Sequence, residues 1–306
     1  MKLTAIAAVL PAILLSGCFL DSDSGDPSGP SGTGVQGFDF AVEKMQVDYV
    51  CTDNNGDKIT KGTASQLTDF NGRATINDTV FLTRTNECAV TMTGLSGARD
   101  TRNAKNMEGV VYEIPRGLLQ VGKMPVASPL TTLIAKEVEK AQQNNSGAAQ
   151  DPRAIADQVF EDLGIVGDGV DVDDLLFDLD NTMTQLENSS DDKRFKELAS
   201  RTQVLSDLLD GGNADNLELD ELVTLTTVLG NNLASVEGFP VDEEAGTAVI
   251  ANYSTIDTTT LEEIVVAGEL SDSQKAAYPT TVTEIPRPPT GATGSGSGGS
   301  SGGGGG

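Results

Sequence analysis

Apolar and polar residues recur along the chain in two different rhythms. From Phe38 to about Val121 the period is two. Phe38, Phe40 and Val42 alternate with polar positions, and Met45, Val47, Tyr49 and Cys51 share one face of a strand. Cys88, Val90 and Met92 share one face of another, and shorter strands are expected around Arg73–Ile76 and Val80–Thr83. Asp53-Asn54-Asn55-Gly56-Asp57 and Asp69-Phe70-Asn71-Gly72 supply turn chemistry between them. Short, closely spaced strands with Gly and Asn turns predict a small β-sandwich over 38–123.

From residue 124 the period becomes helical. Ser128-Pro129 is an N-cap followed by proline at the first helical position, and Leu130, Leu133, Ile134, Val138 and Ala141 then fall on one face. Asp151-Pro152 repeats the start signal ahead of Ile155, Val159, Phe160 and Leu163, with Gly164 as the stop. Leu175, Leu176, Leu179, Met183 and Leu186 form a third stripe. A fourth helix is expected from Asp191 to Leu209, and a fifth from about Leu217 to Leu233. Together they predict a four- to five-helix bundle over 124–237. A weaker extension, 238–290, is read as short helices at Glu243–Ala251, Thr260–Ala267 and Asp272–Ala277. The fold class is therefore α+β, with an N-terminal sandwich, a C-terminal bundle and disordered ends. Those ends are an acidic Gly/Ser/Pro tether over 18–37 and a Gly/Ser-rich tail over 291–306.

Ahead of the tether lies a different kind of segment. Lys2 is a minimal basic region, and Leu3 to Leu15 is apolar but shorter than the roughly 20 residues a membrane-spanning helix needs. Residues 1–17 thus read as a cleaved signal peptide. Leu15-Ser16-Gly17-Cys18 resembles the lipobox of bacterial lipoproteins. That resemblance implies cleavage between Gly17 and Cys18. It also implies a thioether-linked diacylglycerol and usually a further acyl chain, such as palmitate, on Cys18. Two or three acyl chains give stable membrane anchoring without a spanning helix. Phe19, rather than Asp, follows the cysteine. By analogy with sorting in enteric bacteria this favours the outer membrane, with the protein surface-exposed or facing the periplasm. The alternative is an ordinary secretory signal with an incidental cysteine.

Of the three cysteines, Cys51 and Cys88 then remain as a pair in an oxidising compartment. Their positions on inward strand faces favour a disulfide over two buried free thiols. No Cys-x-x-Cys motif points to redox chemistry.

Two further stretches carry resemblances. Thr68-Asp69-Phe70-Asn71-Gly72-Arg73-Ala74-Thr75 resembles a hairpin of carboxypeptidase-regulatory-like, prealbumin-like and Ig-like domains. Val126-Ala127-Ser128-Pro129-Leu130-Thr131-Thr132-Leu133-Ile134 resembles the V-S/T-P-L-T-T-L segment that opens a helical region after β domains in secreted or surface-anchored Gram-negative proteins.

Composition narrows the chemistry. The net charge is -26, which repels nucleic acid and attracts divalent cations. The chain contains no His, which excludes a Ser-His-Asp triad, a Cys-His dyad and His-based zinc or haem ligation. No carboxylate pair stands out as a glycosidase acid and base, and no catalytic residue is assigned. Asp168, Asp171, Asp173 and Asp174 fall in one loop and helix start. Oxygen-rich groups of this kind bind Ca²⁺, and they also cap helices and oppose the dipole. The same two readings apply to Asp207, Asp210, Asp215, Glu218 and Asp220. Asp53-x-Asn55-x-Asp57 opens like an EF-hand loop, but Lys58 and Ala64 stand where Gly and Glu are required.

Three functions fit. The first is a lipid-anchored envelope or surface protein with a non-enzymatic binding, adhesion or matrix role, its partner a protein or polysaccharide at the cell surface. The second is a self-associating subunit of an extracellular fibre. The third is a carboxylate-dependent polysaccharide hydrolase.

Overall fold

Strand β2 (Val42–Thr52) is the spine of the first part of the chain. Its inward positions Met45, Val47, Tyr49 and Cys51 are buried, as the period-two pattern predicts. It lies in a four-stranded antiparallel sheet of order β3-β2-β5-β6, with β3 at Lys58–Thr63, β5 at Cys88–Asp100 and β6 at Val111–Ile114. The register places Cys51 directly opposite Cys88, and a disulfide joins them. This is a computed structural model, and it describes residues 32–144, 151–189, 192–210, 212, 217–278 and 280–286. The expected signal peptide, Gly17 and Cys18, most of the tether and the glycine tail lie outside those residues.

A second sheet has the order β4-β1-β7 (β1 Thr33–Gly37, β4 Arg73–Ile76, β7 Val126–Ala127), with β1 antiparallel to β4 and parallel to β7. The central strand β1 therefore comes from residues that composition assigns to the tether. Its glycines serve close packing. A Cβ on Gly37 would lie 2.7 Å from Met45 Sδ, and one on Gly34 3.3 Å from Met124 Sδ.

The residues around 79–83 form a short helix, α1 (Thr79–Thr83), where a strand is expected. Asp78 caps it by accepting a hydrogen bond from Phe81 N at 2.9 Å, and this local bond outweighs the β-propensity of Val80.

Strand β7 runs straight into α2 (Pro129–Asn144). Ser128, fully buried, caps that helix at Thr131 N, 3.3 Å away. Leu130, Leu133, Ile134 and Val138 enter the core, and Thr132 Oγ1 accepts a hydrogen bond from Glu113 N of β6 at 2.9 Å. Helix α3 (Pro152–Asp162) has the expected Asp151 cap and N-terminal proline. The stripe from Leu175 to Leu186 is split at Asp178 into α4 (Val172–Phe177) and α5 (Leu179–Asn188). Helix α6 (Asp192–Asp210) packs on α2, α5 and α7 (Leu219–Ala234) and is the hub of the helical region.

The extension differs from its helical expectation at Glu243–Ala251. Residues Val241–Asp242 (β8) and Thr247–Ala251 (β9) form a hairpin, and Thr280–Glu284 (β10) pairs with β9 to complete a third sheet of order β10-β9-β8. Gly246, at φ 67°, supplies the turn, and Thr247, Val249 and Ile250 favour strand. Helices α8 (Thr258–Ala267) and α9 (Asp272–Ala277) fall where expected.

The architecture is thus mixed α/β. One continuous apolar core runs from Val35 in β1 through the helices to Leu270.

Candidate functional site

The bend between β1 and β2 turns the side chain of Asp39 inward. Phe38 and Ala41 bridge across the bend, and the Phe38 and Phe40 rings meet edge to face at 6.0 Å. Asp39 sits between them at 2 % exposure. At the end of β5, Asp100 folds the chain back on itself. Its carboxylate accepts from Arg102 N at 2.7 Å, Asn103 N at 3.1 Å and Phe40 N at 3.2 Å. The turn delivers Lys105 into the core, with Asn103 Oδ1 accepting from Lys105 N at 2.9 Å. Thr283 of β10 donates to Asn103 O at 2.6 Å and fixes the turn from the far side.

Lys105 Nζ lies 2.7 Å from Asp207 Oδ1 on α6 and 3.8 Å from Asp39 Oδ2. The other oxygen of Asp207 accepts from Tyr253 N, just beyond β9, at 2.9 Å. One residue before Asp207 on α6, Ser206 shares a 2.8 Å hydrogen bond with the hydroxyl of Tyr112 on β6. Asp100, Asp207 and Lys105 are 0 %, 4 % and 8 % exposed. The cluster ties together the β1–β2 bend, the β5–β6 loop, α6 and the third sheet.

One ammonium faces three carboxylates here, and the electrostatics follow from that imbalance. Burial pushes Asp39 up to about 7, with Asp100 and Asp207 adding repulsion and Lys105 opposing the rise. Burial lifts Asp100 to about 6 against the pull of the Arg102 and Asn103 backbone donors and of Lys105. Burial alone disfavours the Lys105 ammonium, but Asp207 and Asp39 more than compensate and raise its pKa. Burial also raises the Tyr112 hydroxyl well above its ordinary value. Such perturbed groups are characteristic of functional sites. These are sealed from solvent, so the arrangement holds elements together and takes up protons rather than meeting a substrate.

Sequence reasoning does not find this cluster. Alternation places Asp39 on the solvent face of a strand, and Asp207 falls among acidic residues assigned to capping or Ca²⁺. The available signal is Asp207 in the apolar run Val204-Leu205-Ser206-Asp207-Leu208.

The residues singled out for Ca²⁺ are spread over separate tasks. Asp171 caps α4 by accepting from Asp174 N at 2.9 Å, and Asp174 accepts in return from Asp171 N at 2.8 Å, forming a capping box. Asp173 pairs with Lys123 and, at 2.6 Å, with Arg153. The Lys123 hydrogen bond, helped by Arg153, holds its carboxyl below the usual range. Asp168 lies in a tight turn at φ 52°. The carbonyls of Gly164, Ile165, Val166 and Gly167 converge on the guanidinium of Arg194, at 2.9–3.3 Å. Among the described residues no group of three or more His, Cys, Asp or Glu is placed to hold a metal ion. Asp215 lies outside them. Asp53 Oδ1 accepts from Asn55 N and Asp57 N at 2.8 and 3.0 Å and shapes the β2–β3 turn.

No helix among the described residues is long and apolar enough to cross a membrane. No protein-family model, curated protein or solved structure matches the chain.

Proposed function

We propose that this chain is a lipid-anchored protein of the bacterial cell envelope, attached to the outer membrane through Cys18, with a non-enzymatic binding, adhesion or matrix role. The observation that carries this reading is the string Leu15-Ser16-Gly17-Cys18 directly after a short apolar segment. The Cys51–Cys88 disulfide accords with an oxidising compartment. In the same reading the first two sheets are an Ig-like or prealbumin-like sandwich, and α2–α7 are the accompanying helical bundle.

The buried cluster does not itself supply a glycosidase acid. A glycosidase acid needs a raised pKa and access to the glycosidic oxygen. Asp39 and Asp100 have the first and lack the second.

The test is metabolic labelling with an alkyne analogue of palmitate, followed by protease treatment of intact cells. The expected result is a labelled chain, loss of label in Cys18→Ala, and envelope fractionation that depends on Cys18. An unlabelled chain that stays in the soluble fraction overturns the proposal.

A further inference from the structure

The third sheet and its two helices, residues 241–284, are tied to the rest of the molecule at the charge cluster. Tyr253 N donates to Asp207 Oδ2 at 2.9 Å, and Thr283 Oγ1 donates to Asn103 O at 2.6 Å. Asp207 belongs to the cluster. Asn103 is bound to two other members, because its N donates to Asp100 Oδ1 at 3.1 Å and its Oδ1 accepts from Lys105 N at 2.9 Å. Both polar ties of the module therefore end on the same few buried groups. We propose that Asp39, Lys105 and Asp207 form a proton-operated latch on this module, closed while Asp39 carries a proton and released when that proton leaves. The latch goes beyond the envelope reading above and does not depend on it.

Geometry makes Asp39 the operating group. Lys105 Nζ lies 2.7 Å from Asp207 Oδ1 and 3.8 Å from Asp39 Oδ2, so the single ammonium serves Asp207 first. Both Asp39 oxygens are buried, and neither has a hydrogen-bond partner among the described residues. A carboxyl so placed is tolerated as the neutral acid and costly as the anion. The groups around it do not relieve that cost. Asp100 faces it from the end of β5 and Asp207 from α6, and both repel an Asp39 anion. Ser206 on α6 and Tyr112 on β6 are neutral and are bonded to each other. Arg102 is engaged elsewhere, pairing with Glu187 of α5 and lying over the Phe40 ring. Further along α6, Asp210 adds negative charge beside Asp207.

Ionising Asp39 sets three carboxylates against one ammonium. Drawing Lys105 toward Asp39 leaves Asp207 unpaired, so the excess charge is relieved only by water. Water enters by parting the two bonds that the module makes, at Asp207 and at Asn103. The apolar packing of α8 on α7 does not titrate and sets a constant background, on which Asp39 imposes the pH dependence. The closed form holds a proton that the open form, with Asp39 ionising near 3.8, gives up. Opening therefore becomes easier as pH rises from about 4 to about 7 and changes little above that. Release uncovers the face of α7 on which α8 packs and leaves the disulfide-linked sheet in place.

The test is amide hydrogen exchange of the full chain purified in detergent, read by mass spectrometry at pH 5 and pH 7.5, with each rate divided by the intrinsic rate at that pH. Peptides covering 247–267 report the module, and peptides covering 42–52 report the sheet. Protection of 247–267 is expected to fall about tenfold or more between the two pH values. It should stay below that of 42–52 at both, which marks local release and not global unfolding. In Asp39→Asn the change over 247–267 should shrink to less than about threefold. Equal protection of the two regions at both pH values, an unchanged 247–267 across the window, or the same pH response in parent and Asp39→Asn would each overturn the proposal. The comparison of the two regions needs only the parent chain, so it decides the matter even where the variant does not fold. Labelling of Cys18 has no bearing on either outcome.

Discussion

Lys105 Nζ and Asp207 Oδ1 stand 2.7 Å apart where a loop of the β region meets the hub helix α6. The two residues are 102 positions apart in sequence, and both are almost wholly buried. A pair of this kind fixes the register between elements that an apolar contact would leave free to slide. Because Asp207 also accepts from Tyr253 N, the same carboxylate positions the start of the segment that leads to α8.

Replacing Lys105 with Met leaves Asp207 and Asp39 buried without their counter-ion. Losing one partner of a buried pair costs about 3–5 kcal/mol. Urea unfolding at pH 7.5 is expected to show a loss of that order. The loss should be smaller at pH 5, where protonated Asp39 no longer needs the ammonium. A loss under about 1 kcal/mol at pH 7.5 would show that the pair does not hold the elements together.

The disulfide closes a loop with a sequence separation of 37. In the chain-entropy model such a closure contributes about 4 kcal/mol. The Cys51→Ala, Cys88→Ala double variant is expected to unfold at lower urea concentration by about that free energy, with the sheet register unchanged. Equal stability of the oxidised and double-variant proteins would refute this.

The sequence makes local structure legible where one interaction dominates. Ser128-Pro129 and Asp151-Pro152 mark helix starts correctly, because capping is decided by neighbouring residues. The disulfide is legible because strand alternation puts both cysteines on inward faces. Errors arise where a tertiary contact overrides local pattern. Phe38 and Phe40 alternate as in a strand, yet they flank a bend whose purpose is to bury Asp39. Gly34 and Gly37 look like linker residues, yet they let β1 approach methionine sulfurs. The charge cluster itself joins residues 39, 100, 105, 207 and 253, and no window of sequence brings them together.

Gly94 shows the same dependence on distant packing. A Cβ there would lie 1.9 Å from the carbonyl oxygen of Met107, a backbone atom with no freedom to move aside. Gly94→Ala is therefore expected to destabilise the fold by about 2–3 kcal/mol, read from thermal or urea unfolding. A change within about 0.5 kcal/mol would show that the loop between β5 and β6 can move away from Gly94.

Arg194 donates to four successive carbonyls of the loop after α3, and Arg201 donates to Leu163 O and Gly164 O at 2.6 and 3.1 Å. Arg194→Gln is expected to cost about 1.5–3 kcal/mol, the range for hydrogen bonds to a charged group, and to expose the loop to limited proteolysis. With the guanidinium in that role, EDTA should leave the parent's melting midpoint unchanged. A drop with EDTA, restored by added Ca²⁺, would instead support a metal held by Asp168, Asp171, Asp173 and Asp174.

Asp39 makes stability depend on pH with an unusual sign for a carboxylate. In the unfolded chain it ionises near 3.8, and in the folded protein near 7. Between those values the folded state keeps a proton that the unfolded state releases. The stabilisation is complete below pH 3.8 and is lost as pH rises to about 7, by linkage. Asp100 acts in the same direction up to about pH 6. At roughly 1.4 kcal/mol per pKa unit, Asp39 alone contributes on the order of 4 kcal/mol across the window. The lowered carboxyls of Asp53, Asp173 and Asp257 act oppositely, but only below about pH 4, where they protonate. The chain's net charge of -26 also relaxes on acidification, so the parent's curve alone is ambiguous. Asp39→Asn separates the two effects, because it changes one charge while leaving the general repulsion nearly intact. The variant should be more stable than the parent at pH 8, by about 1–4 kcal/mol, and its stability should vary less between pH 4 and pH 7. Parallel curves for the two proteins would place the pH response in the overall charge and not in the buried cluster.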